Sequence, residues 1–219
     1  MRLISENLYS ENNNFYTLTD YKRSIYGEKV IVRNNKFYRE WSPFRSKIAA
    51  ALTRKLDKLN ITENSTILYL GCASGTTLSH ISDITKKGLI FAVDISQKEM
   101  SLLYLKLKNR NNIAPILADA NNPDSYLKNF YNQKVDLIIQ DLATPKQINI
   151  LIKNSDLYLK EGGEIYFSVK IKSISRTKKQ TDVLEEVKTK LNKKFKILKT
   201  VNLRKYEDNH WLIHLKKDI

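Results

Sequence analysis

Five short apolar runs, rich in β-branched and aromatic residues, leave few ways for this chain to fold. They are Thr66–Leu70, Leu89–Val93, Ala114–Ala118, Val135–Ile139 and Glu164–Val169. Helix-like stretches near Thr76–Ile84, Gln97–Lys108 and Pro145–Leu157 separate them. Apolar runs of this length bounded by turn residues read as buried strands, and strands alternating with helices predict an α/β fold with a mostly parallel sheet. Pro115 has no backbone N–H, which places the third strand towards an edge. After Val169 the alternation stops. Thr181–Leu191 reads as an amphipathic helix with Val183, Leu184, Val187 and Leu191 on one face. Phe195–Leu203 and His210–Leu215 then follow directly, joined by the polar turn Tyr206–Asn209, which predicts an antiparallel C-terminal hairpin.

Residues 1 to about 40 differ in texture. Short polar-aromatic segments such as Phe15–Leu18, Val30–Val32 and Lys36–Tyr38 alternate with asparagine-rich turns at residues 12–14 and 34–35. They predict a small antiparallel sheet, too small to fold alone and docked on the main domain. Arg45–Leu59 reads as a basic amphipathic helix leading into the first core strand. The expected division is a small β domain over residues 1–42 and the α/β domain over residues 43–219.

Charge narrows the partners. The 38 Lys and Arg exceed the 23 acids by 15, and beyond Pro145 there are 18 basic against 9 acidic residues. Such an excess attracts a polyanion, and the attraction weakens with salt. A solvated lysine-rich surface would look the same in composition, and charge alone does not separate RNA from DNA or an acidic membrane. No apolar run is long enough for a membrane span, and the N-terminus turns polar at once. The single cysteine, Cys72, rules out an internal disulfide or a multi-cysteine metal site. A reducing, cytoplasmic location and no metal are expected.

Leu68–Thr77 runs from a buried strand through small residues into a helix, with Gly71 and Gly75 spaced as G-x-x-x-G. Glycines let a ligand approach the backbone closely, and the helix start offers free N–H groups. Asp94 ends the second strand, where an acid accepts the ribose hydroxyls of an adenosine; Asp119 ends the third, placed for the adenine amino group. A dinucleotide site uses G-x-G-x-x-G because its pyrophosphate sits on the helix N-terminus, and that second glycine is missing. S-adenosylmethionine has no phosphate and tolerates the looser loop. Each glycine or acid alone is equally a tight turn or a solvated strand end; their register at successive strand ends points to an adenosine site.

Asp141 ends the fourth strand and Lys170 the fifth, which brings both to the carboxyl edge of the sheet. A lysine held near a carboxylate can remove a hydroxyl proton when burial or nearby cations favour its neutral form. A strand-end lysine reaching water is the ordinary alternative for Lys170. His210 opens the last strand; a lone histidine is usually a packing or surface residue. His80 and His214 have no catalytic context.

Several segments, taken in order, resemble the fibrillarin family. Tyr38–Lys47 (YREWSPFRSK) is similar to the segment before its first helix, and Tyr69–Thr77 with Ser79–Asp83 to its cofactor loop. Pro115–Ala120, Gln140–Ala143, Val169–Lys170 with Lys172–Ile174, and Tyr206–His210 continue the likeness across nearly the whole chain. The resemblance implies a Rossmann-like class I methyltransferase sheet and S-adenosylmethionine-dependent 2′-O-methylation of ribose. It also implies a Lys-Asp-Lys-His tetrad, which matches Lys47, Asp141, Lys170 and His210. Cofactor contacts are implied at Gly71, Ala73, Thr76, Thr77, Asp94, Ile95, Asp119, Ala120, Asp141, Leu142, Ala143 and Thr144. Asp94, Thr144, Gln140 and Ser42 stand where the family usually has Glu, Gln, Glu and Asn. No Gly/Arg-rich tail is present, so the archaeal type is the better likeness. That type implies a box C/D particle in which a guide RNA selects the nucleotide, a Nop-type scaffold protein recruits the enzyme, and an RNA-binding subunit takes part indirectly. The expected substrates are ribosomal and transfer RNA. Methylation of an RNA base or a protein glutamine, or a non-catalytic assembly role, are the alternatives; the Asp141–Pro145 loop lacks the Asn-Pro-Pro pattern of base methylation.

Overall fold

A computed structural model describes residues 1–56, 58–131 and 133–218. Five N-terminal strands, β1 (Arg2–Ser5), β2 (Leu8–Glu11), β3 (Asn14–Thr19), β4 (Val30–Arg33) and β5 (Lys36–Glu40), form an antiparallel sheet in the order β1-β2-β3-β5-β4. Of the asparagines read as turn signals, Asn12, Asn13, Asn34 and Asn35 take left-handed backbone, while Asn14 already opens β3.

The larger sheet has seven strands, in the order β11-β12-β10-β9-β6-β7-β8. These are β6 (Thr66–Leu70), β7 (Leu89–Asp94), β8 (Ile113–Leu117), β9 (Val135–Asp141), β10 (Leu159–Lys170), β11 (Phe195–Asn202) and β12 (His210–Lys217). β6 is buried on both faces and sits between β7 and β9. β8 is an edge strand, as its proline predicts. Backbone alternation turns the Ala118 N–H inward to the Asp94 carbonyl and leaves Pro115 on the outward phase, where a missing donor costs nothing. β12 runs antiparallel to both β10 and β11, which completes the expected mixed sheet.

The helices are α1 (Lys47–Thr53), α2 (Thr76–Ile84), α3 (Gln97–Leu107), α4 (Gln147–Tyr158), α5 (Ile171–Ile174) and α6 (Gln180–Leu191), with a 3-10 helix over Pro123–Phe130. α1 is shorter than the helix expected over Arg45–Leu59. Lys55 adopts φ 71°, and the Leu56 N–H turns back to the Ala51 carbonyl while the Lys55 N–H bonds Leu52. This is a Schellman closure with lysine in the place glycine usually holds. Leu56, Leu59 and Ile61 are buried from beyond the end of the helix instead of from a helical face.

α2 lies between the two sheets, so even its polar residues are buried. Arg39 of β5, wholly buried, sends Nε to Glu28 (2.7 Å), Nη1 to Asp83 (2.8 Å) and Nη2 to the Ser79 hydroxyl (2.9 Å). Asp83 also takes Arg110 (2.8 Å) and the Thr17 hydroxyl (2.9 Å). Since Thr17 gives its only hydrogen to that carboxylate, the His80 Nδ1 that lies 2.9 Å from Thr17 must be the donor. Burial, then the charges of Arg39, Arg110 and Arg45, push the His80 pKa well down, so the ring stays neutral and stacks on Trp41. One core cluster continues from Leu8 and Trp41 into β6, α1 and α2.

Removing Arg39 would take the cation from buried Glu28 and leave Asp83 with Arg110 alone. Arg39→Ala is expected to cost about 3–5 kcal/mol in urea unfolding; a loss below about 1 kcal/mol would show that the network does not hold the sheets together. Burial alone would raise the Glu28 pKa, but the N–H groups of Ile25 and Tyr26 and the Arg39 charge outweigh it and hold it at about 2. The unfolded carboxyl takes up its proton near the usual 4.5. Glu28 therefore stabilises the fold fully above that pH and loses this effect as the pH falls towards about 2. The difference in urea midpoint between the wild type and Glu28→Gln should shrink over that window.

Candidate active site

The chain winds outwards from β6 through β7 to β8, then crosses back to place β9 on the other side of β6. Open α/β sheets bind ligands beyond the carboxyl ends of the strands at such a reversal. A cleft of about 450 Å3 lies there, and its lining includes Gly71, Asp94, Ile95, Asp119, Ala120, Leu142, Ala143 and Thr144. Asn121, Lys146 and Ile150, not singled out in the sequence, line it as well. Their adjacency to Asp119 and to the β9 loop was the available signal.

Gly71 forms the cleft floor with φ 79°, and a Cβ there would lie 2.4 Å from the Asp141 carbonyl oxygen. Only glycine lets the ends of β6 and β9 close together so tightly. Gly75 caps α2 at φ 91°. Its open side is filled by protein: a Cβ would meet Leu107 at 2.8 Å and the Tyr26 hydroxyl at 2.9 Å. Tyr26 donates to the Ser74 carbonyl (2.5 Å), a contact from the N-terminal region that local sequence could not signal. The loop is therefore packed against its own protein and does not form an open cradle for a pyrophosphate.

Asp94 accepts from the Ala73 N–H (2.8 Å) and the Ser96 N–H (2.9 Å), one per carboxylate oxygen, and each oxygen keeps a lone pair towards the cleft. Asp119 is exposed and accepts from the Asn121 N–H at 2.8 Å. Two carboxylates among Ile95, Ala120, Leu142 and Ile150 suit a nucleoside that carries positive charge. Ala73, Thr76, Thr77 and Asp141 are not in the cleft wall. Ala73 orients Asp94, Thr76 borders a small hollow beneath Tyr26, and the Thr77 hydroxyl donates to Ser46 (3.0 Å), the N-cap of α1.

Beside the cleft the four tetrad positions come together. Lys47, the first residue of α1, gives Nζ to Asp141 Oδ2 at 2.9 Å. Lys170 stands opposite His210 in the β10–β12 ladder, and Asp141 opposite Ser168, two residues before Lys170. Strand alternation therefore turns Asp141, Lys170 and His210 to one face of the sheet. It is the face of Ile139, Tyr166 and Leu212, whose core cluster includes α1. The Lys170 amine has no hydrogen bond or ion pair among the described residues, while its peptide is clamped at both ends by buried Gln147 (3.2 and 3.1 Å). Gln147 was not foreseen, because its partner lies 23 residues away. His210 Nδ1 bonds the Asp208 carbonyl at 2.8 Å; a carbonyl only accepts, so Nδ1 is the donor, and in the neutral tautomer that this bond selects Nε2 is the acceptor. His214 stacks on Tyr166 and bonds Glu164 (2.7 Å) away from this edge.

An open sheet in this order, with strand-end acids around a cleft at the reversal, defines a Rossmann-like methyltransferase. The sequence model of the family described as Fibrillarin matches residues 7–218. A Picrophilus torridus protein named Fibrillarin-like rRNA/tRNA 2′-O-methyltransferase is 36% identical over 217 residues, covering 99% of this chain and 100% of the relative. A fibrillarin solved in a fibrillarin/Nop5p complex superposes with a TM-score of 0.89 at 40% identity, over 97% of this chain and 98% of that one. Aeropyrum pernix fibrillarin, solved with natively bound S-adenosyl-L-methionine, gives 0.84 at 35% identity, over 92% and 88%. This chain belongs to the fibrillarin family.

Gly71→Ala is expected to cost about 2 kcal/mol or more, from a left-handed backbone and the clash with β9. Thermal unfolding followed by circular dichroism measures it, and an unchanged midpoint would show that Gly71 does not set the β6–β9 approach.

Proposed function

We propose that this chain is an S-adenosylmethionine-dependent RNA 2′-O-methyltransferase, the catalytic subunit of a cytoplasmic box C/D particle with a Nop-type scaffold protein and a guide RNA. Its substrates are ribosomal and transfer RNA. The observation that carries the reading is the Lys47–Asp141 ion pair, set on one sheet face with Lys170 and His210 beside the Gly71 cleft. The names and contents of the family's relatives, a 2′-O-methyltransferase, a Nop5p complex and a cofactor-bound fibrillarin, support it.

S-adenosylmethionine supplies a methyl group already activated on a cationic sulfur. Asp94 would take its ribose hydroxyls and Asp119 its adenine amino group, with Ile95, Ala120 and Leu142 around the base. The protein's remaining work is to aim an RNA hydroxyl and remove its proton as the new O–C bond forms and the C–S bond breaks. Lys170 in its neutral form takes that proton and becomes an ammonium; its amine holds no partner among the described residues and its backbone is held by Gln147. Lys47 pins the Asp141 carboxylate at the cleft edge, on the sheet face it shares with Lys170. His210 Nε2 faces the ribose as a hydrogen-bond acceptor.

The test is reconstitution with guide RNA, scaffold and S-adenosylmethionine labelled in its methyl group. Label on the 2′-oxygen of one guided nucleotide is expected; label on a base or on protein would overturn the reading. Lys170→Ala should lower the single-turnover rate by about 10²–10⁴-fold while calorimetric cofactor affinity stays unchanged. Near-normal transfer would remove Lys170 from its role.

A further inference from the structure

Four of the 18 basic residues beyond Pro145 crowd into the segment Lys172–Lys179, which begins two positions after Lys170. No acid stands between Glu164 and Asp182. All four are exposed. Lys178 meets Glu186, but Lys172, Arg176 and Lys179 have no ion pair or side-chain hydrogen bond among the described residues. Like charges crowded in this way repel one another, and a bound polyanion relieves the repulsion.

The segment is held at both ends. Ile171 is buried, and its N–H bonds the Asn209 carbonyl at 3.0 Å. At the far end the Gln180 side-chain amide donates to the side-chain oxygen of the same Asn209. Between them the Ser175 N–H bonds the Ile171 carbonyl (3.1 Å) and the Lys178 N–H the Ser175 hydroxyl (3.2 Å). Asn209 is itself buried, takes φ 60°, and is followed directly by His210. One asparagine thus ties the cationic segment to the turn that delivers a tetrad residue.

The geometry of the reaction points to paired RNA as the polyanion. A guide selects a nucleotide by pairing around it, so the target ribose lies in a duplex. In A-form RNA the 2′-hydroxyls lie in the wide, shallow minor groove, which the phosphate backbones border. A lysine that reaches a 2′-oxygen there brings its flanking segment onto those phosphates. α5 and α6 pack on the core cluster of the sheet face opposite α1, so these cations lie to one side of the tetrad.

We infer that Lys172, Arg176 and Lys179 grip the backbone phosphates of the guide–substrate duplex, independently of its sequence, and seat its minor groove over Lys170. The inference rests on the ribose-methylation reading. The three are positioning residues, because they hold RNA away from the reacting atoms.

The experiment uses the reconstituted particle with two guides of unrelated sequence, and follows the KM for substrate RNA and its affinity by fluorescence anisotropy across salt concentrations. Replacing Lys172, Arg176 and Lys179 together by Ala should raise the KM roughly tenfold with either guide and flatten the plot of log affinity against log salt by about two. The rate at saturating RNA and the calorimetric cofactor affinity should stay at wild type. The charge-keeping set Lys172→Arg, Arg176→Lys and Lys179→Arg should restore both KM and slope. Replacing Lys190, Lys193 and Lys196 by Ala removes the same charge between the end of α6 and the start of β11, and should change neither. An unchanged slope in the first set, an equal loss in the second, or a loss with one guide only would overturn the grip. Loss of RNA-free association with the scaffold protein on gel filtration would make the segment a protein-docking surface and the grip wrong. A wild-type particle that modifies no ribose would instead overturn the methylation reading.

Discussion

The Arg39 guanidinium reaches Glu28 on the N-terminal side and Ser79 and Asp83 on α2, and the active-site geometry follows from it. By fixing α2 against the small sheet it fixes the helix start that carries Thr77. Thr77 bonds Ser46, Ser46 caps α1, and the first residue of α1 is Lys47, whose ammonium meets Asp141. A side chain in the interior of one sheet is thus four contacts from the chemistry at the edge of the other. The small sheet does more than cover apolar surface, since Tyr26 from the same region closes the glycine loop.

Charge is divided across this edge. In a chain of formal charge +15, the nucleoside cleft carries two carboxylates, Asp94 and Asp119, against one cation, Lys146, while a separate hollow is lined by Arg2, Arg54, Lys55 and Lys205. A cationic sulfonium and a polyanionic RNA therefore meet local charges of opposite sign. Each ligand is discouraged from the other's place, which is a specificity that net charge alone could not give.

What was legible in the sequence was whatever depends on local pattern. The core strands were read from their apolar runs, the edge position of β8 from Pro115, and Asp141 and Lys170 from their places at strand ends. Lys47 was legible only through family resemblance, because its partner lies 94 residues away. The end of α1 was misread because Lys55 takes a conformation that composition assigns to glycine. The burial of Ser79, His80, Ser82 and Asp83 on α2 had no local signal, because their partners come from β3, β5 and the residues after α3. The 3-10 helix at Pro123–Phe130 was also missed, although its Tyr126 and Phe130 stack with Tyr158 in the second core cluster.

Pro115 has a consequence beyond marking an edge. A sheet border offers its unpaired amides and carbonyls as a template on which a foreign strand can grow, the route to domain swapping and fibrils. In β8 the outward phase passes through a nitrogen with no hydrogen to give, so a strand laid along that border finds its ladder interrupted midway. Assembly partners at this border then find side chains in place of a continuous ladder, and the sheet is closed to growth at β8 by its own covalent chemistry.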